Sequence, residues 1–400
     1  MITTQRAPRQ LIEGPGAVAA VAPLARTLGR RVLVVSDQVI SQQDAFGRIL
    51  ADLAGQGMDV ASFVDARSDV PLDDVEHCLE VARTFGPDLL VAVGGGTVVD
   101  LAKVVAVLFV HGGRPQDYYG ENLVPGPGLP LVAVPTTAGT GSEVTTVAVL
   151  SDPERVLKVG VSSVHMVPTF AICDPRMTLS CPATVTAYAG IDALCHAVEA
   201  YTAVRRSPEP LDVVSGVFVG KNDHADAHAL RALELLGESL VRAVEDGNDL
   251  AARSAVMRGA TAGGFAFGHA GTGGPHALQY VIGAVTKTPH GLGVGLFLPY
   301  VLTANRPMID GELTELAAHL GLSGDDPAEA FIEWVVELNE RVGIPKDLRA
   351  IGVRREDLRA HAELTTTVTR LLQNNRGDNS VDGLERVLAA AWEGDRHDLR

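Results

Sequence analysis

The sequence predicts a protein of two parts, an α/β part with an open, mostly parallel sheet and an all-helical part. Between Arg31 and Val134, short apolar runs alternate with stretches of helical periodicity, as in βαβ units. One of these runs leads directly into three consecutive glycines. From Pro182 onward the alternation stops and long amphipathic patterns dominate. We therefore predict an α/β domain over residues 1–179 and an all-helical domain over residues 180–400.

Each element of the α/β part has a local signature. Arg31–Asp37 is an apolar run that ends in a polar turn, as buried parallel strands do. Pro71 lies near the start of the second predicted helix, a position that proline favours. In chain order, the predicted strands are 31–37, 59–64, 88–93 and 129–134, and the predicted helices are 44–55 and 70–85.

The helical part shows six amphipathic patterns. They cover residues 185–201, 224–246, 250–267, 313–320, 326–341 and 381–391. Their apolar residues recur at helical spacing, so each pattern predicts a helix with one buried face.

The composition excludes several classes of partner. The 400 residues are 46% hydrophobic and carry a formal net charge of −16, which disfavours nucleic acid and anionic membrane surfaces. The longest apolar stretch, 98–110, contains Asp100 and Lys103 and is too short to cross a bilayer. The first residues lack the apolar core of a signal peptide, and the four cysteines lack CxxC spacing. We expect reduced thiols and a cytoplasmic location.

The glycines Gly94, Gly95 and Gly96, followed by Thr97, form a candidate phosphate-binding turn. Glycines at a helix start let backbone N–H groups approach a pyrophosphate, and the helix dipole favours its charge. The spacing differs from GxGxxG, so the usual Rossmann fingerprint is missing. An ordinary tight turn is the alternative interpretation.

Three other features complete the candidate nucleotide site. Asp37 at the end of the first strand could accept a hydrogen bond from a ribose 2′-hydroxyl, which favours NAD over NADP; helix capping is the alternative. The loop 135–143 is rich in hydroxyls and glycines and could line the nicotinamide and ribose. Lys158 lies in a strand-like run and could reach a cofactor or substrate oxygen, or it could be an exposed lysine on a strand edge.

Asp192 and His196 are the first candidate metal ligands. They are four residues apart in a helical run, so both side chains lie on one helix face. His276 and His290 lie downstream, and Gly283 with the turn 286–289 allows the chain to fold back so that they meet. One aspartate and three histidines suit Fe²⁺ or Zn²⁺ with a position open for a substrate oxygen.

Two other groups of potential ligands have simpler explanations. His224 and His228 are also four residues apart, but nothing downstream completes a ligand set, and the segment opens a long helix where capping residues are expected. Cys195, beside His196, points to another face of its helix, so we predict a packing role.

Four motifs in the same order resemble the iron-dependent (group III) alcohol dehydrogenases. They are Gly94-Gly95-Gly96-Thr97-Val-Val-Asp100, Pro135-Thr136-Thr137-Ala-Gly-Thr140-Gly-Ser-Glu143, Gly190-Ile-Asp192 with His196 and Glu199, and His276 with Pro289-His290-Gly291. The resemblance extends from about Val32 to the stretch 374–376. It implies a dehydroquinate-synthase-like architecture in which a dinucleotide-binding α/β domain and a helical metal-binding domain enclose a cleft.

The resemblance also implies roles for individual residues. Asp192, His196, His276 and His290 fall on the metal-ligand positions. The cofactor positions are matched by Asp37, Gly94, Gly95, Gly96, Thr97, Asp100, Thr136, Thr137, Thr140 and Lys158. Many members carry a second histidine four residues after the first downstream ligand; here that residue is Tyr280. A tyrosine hydroxyl can relay a proton, but its pKa near 10 makes it a weaker acid–base group at neutral pH.

An extra segment, 205–222, together with Tyr280, looks like the hydroxyacid–oxoacid transhydrogenase and semialdehyde reductase branch. The segment carries Arg205, Arg206 and Lys221, any of which could meet a substrate anion, although a solvated basic loop is the simpler explanation for the two arginines.

These observations predict an NAD(H)-dependent oxidoreductase that interconverts a primary alcohol and an aldehyde, with Fe²⁺, or alternatively Zn²⁺, as Lewis acid. We expect a small substrate with an anionic end, such as succinic semialdehyde/4-hydroxybutyrate or phosphonoacetaldehyde. The alternatives are a general short-chain aldehyde reductase, a lyase or cyclase that uses NAD catalytically, and a metal-free or non-catalytic NAD-binding protein. We expect a homodimer or larger homo-oligomer.

Overall fold

A computed structural model describes residues 2–399. The main sheet has six parallel strands in the order β1-β9-β6-β4-β2-β3. Their bounds are β1 Gln10–Glu13, β2 Arg31–Val35, β3 Asp59–Phe63, β4 Leu89–Gly94, β6 Leu131–Pro135 and β9 Phe170–Cys173. A second sheet, in the order β5-β8-β7, joins β5 Gly120–Glu121, β7 Val147–Leu150 and β8 Val159–Ser162.

Both faces of the main sheet are covered, as the continuous apolar runs predict. Leu33 and Leu90 pack in one hydrophobic cluster, while Val34 and Val91 pack in the cluster on the opposite face. The helices of this half are α1 Val21–Leu28, α2 Gln38–Ser41, α3 Asp44–Gly55, α4 Leu72–Phe85 and α5 Gly96–His111.

The second half consists of helices around one large core. They are α6 Ala183–Thr202, α7 Pro210–Ser215, α8 Asp223–Glu245, α9 Leu250–Ala270, α10 Gly274–Thr286, α11 His290–His319, α12 Pro327–Arg341, α13 Leu358–Thr365, α14 Thr369–Leu372 and α15 Val381–Glu393. Helix α6 packs against α8, α9 and α11, and its residues 190–201 are all buried. This buried helix positions the candidate ligands Asp192 and His196.

The predicted fold class is confirmed, with a parallel sheet in the first half and helices in the second. The last strand of the main sheet ends at Cys173 and the first long helix starts at Ala183. The predicted boundary at residue 179 lies between them and stays a prediction.

Helix α11 differs most from its prediction. The pattern predicted a helix over 313–320, whereas α11 runs from His290 to His319 and includes Pro299 and Pro307. Residues 291–303 are all buried, so this part of the helix has no polar face to create an amphipathic pattern. The helix could not be recognised in the sequence because this part is buried on all sides and the helix contains prolines.

Within residues 2–399, no helix is both long enough and apolar enough to cross a membrane.

Candidate active site

The candidate nucleotide loops meet at the carboxyl edge of the main sheet. β4 and β6 are neighbours, and Gly94 at the end of one pairs with Pro135 at the end of the other. The turn of Gly95 and Gly96 therefore lies against the loop that carries Thr136, Thr137 and Thr140. A Cβ on Gly96 would lie 2.6 Å from the Thr140 hydroxyl oxygen, so only glycine allows this approach.

This packing gives the glycines a structural role as well as a possible binding role. Gly96 is the first residue of α5 and Thr97 lies in its first turn. The 16-residue helix directs its positive end towards this edge of the sheet, where the pyrophosphate of a dinucleotide would be stabilised. Gly96, Thr97 and Thr140 line a cavity that also contains the candidate metal ligands.

Asp37 lies at the carboxyl end of β2 and caps helix α2. Its Oδ1 accepts hydrogen bonds of 2.9 Å from the backbone N–H groups of Val39 and Ile40. Asp37 therefore caps the helix, as the alternative interpretation predicted. Its other carboxylate oxygen, Oδ2, is the one that would accept the predicted hydrogen bond from a ribose.

Asp100 lies in α5 and lines the same cavity. Its carboxylate accepts hydrogen bonds from the Ser142 hydroxyl at 2.5 Å and the Val149 N–H at 2.9 Å. Both carboxylate oxygens are thereby engaged, so the side chain fixes the loop after β6 and the strand β7.

Lys158 precedes β8 rather than lying within it. Its side chain is about one-third exposed and its ammonium forms an ion pair with Asp69 at the cavity wall. The predicted reach towards a cofactor or substrate oxygen is compatible with this position, but the charge is already matched by Asp69.

Three of the four candidate metal ligands form one close group, and His196 lies beside Asp192 in that group. Asp192 and His196 lie one turn apart on α6, His276 lies in the first turn of α10, and His290 begins α11. The Asp192 Oδ1 is 3.7 Å from His196 Nε2, 3.5 Å from His276 Nε2 and 3.6 Å from His290 Nε2. In the part of the chain that the structure describes, ligand atoms of Asp192, His276 and His290 all lie within 4.8 Å of one another.

The turn between α10 and α11 brings His290 back to His276. Lys287 adopts a left-handed conformation with φ of 57°, and its N–H bonds to the Gly283 carbonyl. The Gln279 amide then donates to the Thr288 carbonyl at 3.4 Å. The chain reverses as the sequence predicts, and the rings of the two histidines lie 5.1 Å apart.

Burial and neighbouring charges shift the pKa values of all four residues. Burial lowers the pKa of His196 to about 3 and that of His290 to about 4, so both imidazoles are neutral and able to donate a lone pair. Burial also lowers the pKa of His276, but the carboxylates of Glu199 and Asp192 outweigh it and raise the pKa to about 9. Burial disfavours the Asp192 carboxylate, yet the three histidines hold its pKa below the usual range.

Glu199 has no role in the sequence prediction although it belongs to the quoted motif. Its Oε1 accepts a 2.6 Å hydrogen bond from His276 Nδ1, and its Oε2 accepts one of 2.5 Å from the Gly273 N–H. The carboxylate thereby directs His276 Nε2 towards Asp192. Glu199 lies seven residues after Asp192, near the same face of α6, and this spacing is the sequence signal that could have identified it.

A cavity of about 190 Å³ joins the ligand group to the glycine turn. Phe267 stacks on His196 with ring centroids 4.0 Å apart. The ring centroids of Tyr280 and His290 lie 6.2 Å apart. Burial raises the pKa of Tyr280, and the positive charge of Arg370 partly opposes the rise. Tyr280 therefore keeps its proton at neutral pH and can donate a hydrogen bond, and its role as a proton relay stays a prediction.

The cations of the 205–222 segment are paired outside this cavity. Arg205 bonds to Asp223 and Asp226, and the buried Lys221 bonds to Asp226. Arg206 donates to the Asn374 side chain at 2.8 Å. The segment reaches the cavity through Phe218 instead.

The other two candidate groups are structural. His228 bonds to Gln5 at 2.9 Å and stacks on Phe265 with centroids 5.0 Å apart. Cys195 is buried in the helical core. Both observations agree with the simpler explanations.

Comparison with known proteins matches both halves of the chain to one family of enzymes. A family model described as "Iron-containing alcohol dehydrogenase" matches residues 8–175, and one described as "Fe-containing alcohol dehydrogenase family, C-terminal" matches residues 186–392. The NAD-dependent methanol dehydrogenase of Bacillus methanolicus is 34% identical over 357 residues, covering 88% of this chain and 90% of the relative.

Two further relatives cover almost the whole chain. The sulfoacetaldehyde reductase of Bilophila wadsworthia is 30% identical over 399 residues, covering 96% of this chain and 98% of the relative. A crystal structure of 1,3-propanediol oxidoreductase superposes with a TM-score of 0.91 at 30% identity, covering 98% of this chain and 100% of that one. The chain therefore belongs to the iron-containing (group III) alcohol dehydrogenase family and is an NAD-dependent enzyme of that type.

Proposed function

We propose that this enzyme interconverts a primary alcohol and an aldehyde, with Asp192, His196, His276 and His290 holding a divalent metal ion. One observation supports the ligand set most strongly. Asp192 Oδ1 and His276 Nε2 are buried side by side, and among the described residues neither atom has a hydrogen-bond partner. Buried polar atoms without partners are costly, and a shared cation would compensate both.

The metal, when bound, polarises the oxygen of the aldehyde or alcohol as a Lewis acid. Fe²⁺ is the proposed ion and Zn²⁺ the alternative, because imidazole nitrogens and a carboxylate suit both. A bound cation would displace the proton that Glu199 and Asp192 otherwise stabilise on His276. Glu199 accepts a hydrogen bond from His276 Nδ1, so Nε2 is the ring nitrogen that faces Asp192 and would bind the metal. Phe267 packs on His196 and helps to exclude water from that side.

The sheet edge provides the proposed cofactor site. Gly94, Gly95, Gly96 and Thr97 would receive the pyrophosphate at the start of α5, and Thr136, Thr137 and Thr140 would flank the nicotinamide half. Asp37 would select NAD over NADP, because a carboxylate repels a 2′-phosphate. The cavity connects these loops to the metal ligands, so a hydride donor and its acceptor carbon can be held in contact.

Oxidation of NADH by anaerobically purified, Fe²⁺-loaded protein tests this proposal. The panel contains propanal, succinic semialdehyde, phosphonoacetaldehyde and lactaldehyde, with His276→Ala as the variant that removes a proposed ligand. We expect turnover of at least one aldehyde and its loss in the variant. If NAD binds but no aldehyde is reduced, the proposed reaction fails. The alternatives are then a lyase or cyclase that uses NAD catalytically and a non-catalytic NAD-binding protein.

A further inference from the structure

Arg370 is a cation in the cavity that the sequence motifs do not include. It lies in the short helix α14 and lines the cavity together with His276, Tyr280 and His290. Its side chain is half-buried. Because α14 is almost 80 residues after His290 in the sequence, only the tertiary structure shows that they share a cavity.

No carboxylate of the described residues lies within ion-pair distance of Arg370. Nearby arginines of the same region are paired, Arg376 with Glu312 and Arg359 with Asp382 and Glu385. Among residues 2–399, the cavity wall contains one other lysine or arginine side chain, Lys158. Lys158 forms an ion pair with Asp69. Arg370 therefore brings an unmatched positive charge to the cavity.

Aromatic contacts hold the guanidinium in place. Its central carbon lies 4.9 Å from the centroid of the Phe218 ring, a cation–π arrangement. The positive charge of Arg370 also acts on the Tyr280 hydroxyl, and the Tyr280 ring centroid lies 6.2 Å from that of His290. A guanidinium is planar, and two of its N–H groups can bind a carboxylate, sulfonate or phosphonate through two parallel hydrogen bonds.

We propose that Arg370, with Tyr280 as a second donor, binds the anionic end of the substrate, which is a short aldehyde with a terminal oxyanion. This inference rests on the proposed alcohol–aldehyde chemistry. Arg370 and the proposed metal ligands line the same cavity, whose volume is only about 190 Å³. The aldehyde end and the oxyanion are therefore separated by only a few carbon atoms.

The test compares matched substrates on matched variants. Succinic semialdehyde is compared with butanal, its neutral counterpart of equal carbon number, and phosphonoacetaldehyde with acetaldehyde. In Arg370→Gln we expect kcat/KM to fall at least tenfold for the two anionic aldehydes, mainly through KM, and to change less than threefold for the neutral ones. Arg370→Lys should restore part of the loss, and the exposed Arg341→Gln, with the same change of charge, should have no effect.

Three outcomes would contradict the inference. An unchanged kcat/KM for the anionic aldehydes overturns it, and an equal loss for butanal shows that Arg370 only supports the fold. The third outcome is a higher kcat/KM of the wild-type enzyme for the neutral aldehydes than for the anionic ones.

The binding of the anion can be measured without turnover. Succinate is titrated calorimetrically into wild-type protein and Arg370→Gln. Binding that depends on Arg370 supports the anion site even if no aldehyde is reduced, in which case the proposed reaction alone fails. Equal binding, or none, in both proteins overturns the anion site while leaving the reaction intact.

Discussion

Glu199 accepts hydrogen bonds from two groups that are 74 and 77 residues away in the sequence. One partner is the backbone of the turn that starts α10, and the other is His276 itself. A single buried carboxylate thus fixes both the position of the helix start and the direction of the imidazole. Carboxylate–histidine pairs of this kind raise ligand basicity and orient the ring.

Glu199→Gln should therefore weaken metal binding by about 10- to 100-fold without unfolding the protein. The amide has the same shape but lacks the charge that stabilises the Nδ1–H tautomer. Competition with a chromophoric chelator measures the affinity, and the exposed Glu337→Gln on α12 serves as the control. Equal affinities in wild type and Glu199→Gln would show that the carboxylate does not support the site.

Asp88 provides a pH-dependent contribution to stability. Its Oδ2 accepts hydrogen bonds from the backbone N–H groups of Arg30 and Arg31, and these hold the pKa of the carboxyl below its usual value. The ionised form is thus favoured by folding, so the contribution is present above the unfolded pKa of about 3.9 and is lost as pH falls through the folded pKa.

Asp88→Asn should lower the stability at pH 7 by about 0.5 kcal/mol or less, since the site is exposed and screened. The difference from wild type should decrease as pH falls below about 3.9 and disappear once pH is below the folded pKa. Urea denaturation at several pH values measures it. A difference that is constant with pH would show that the charge is irrelevant.

At the scale of elements, α5 is tied to the strand β7 by a buried lysine. The Lys103 ammonium donates to the Thr145 carbonyl at 2.9 Å and the Val147 carbonyl at 2.8 Å. Burial lowers the pKa of Lys103 to about 8, although the negative charges of Asp100 and Glu143 act to raise it. The helix that starts the nucleotide loop is thereby fixed to a strand that lines the cavity.

Lys103→Met should destabilise the protein by about 3 kcal/mol or more. The substitution leaves buried carbonyl oxygens without a donor and two buried carboxyls without their cation. Urea unfolding followed by far-UV circular dichroism gives the free energy of unfolding, and Lys346→Met, at an exposed position, is the control. A loss below about 1 kcal/mol would mean that the residual hydrogen bonds reorganise easily.

Helices could be predicted from the sequence where one face is buried and the other is polar. Strands could be predicted where both faces are buried and the residues form a continuous apolar run. The predicted helix 44–55 matches α3, and the predicted strand 59–64 matches β3 to one residue. Helix α11 was predictable only in its last quarter, because its first half is buried on all sides. The two-residue strand β5 pairs with a segment some 40 residues later, and no local pattern of that length is informative.

At the scale of the whole molecule, the candidate site combines both halves. The ligand group comes from α6, α10 and α11, and the glycine turn comes from the edge of the sheet. The sequence predicted the residues at helical spacing and those in recognisable motifs. It did not predict Phe218 and Arg370 in the cavity, since nothing but the packing of distant helices brings them there.

Metal binding should be visible in the stability of the whole protein. A cation that binds only the folded state at 100 times its Kd adds about 2.7 kcal/mol. We expect Fe²⁺ or Zn²⁺ to raise the unfolding temperature of chelator-treated protein in a concentration-dependent manner. Asp192→Asn should abolish this shift, while the exposed Asp52→Asn should retain it. A shift that persists in Asp192→Asn would place the metal elsewhere.

The separation of the two halves along the chain has a consequence for biosynthesis. Every strand of the main sheet is complete once Cys173 has been synthesised, whereas the last proposed ligand is His290. A ribosome must add more than a hundred residues after the sheet before all four ligands exist. A metal ion that needs all four proposed ligands therefore cannot guide the folding of the first half of a growing chain.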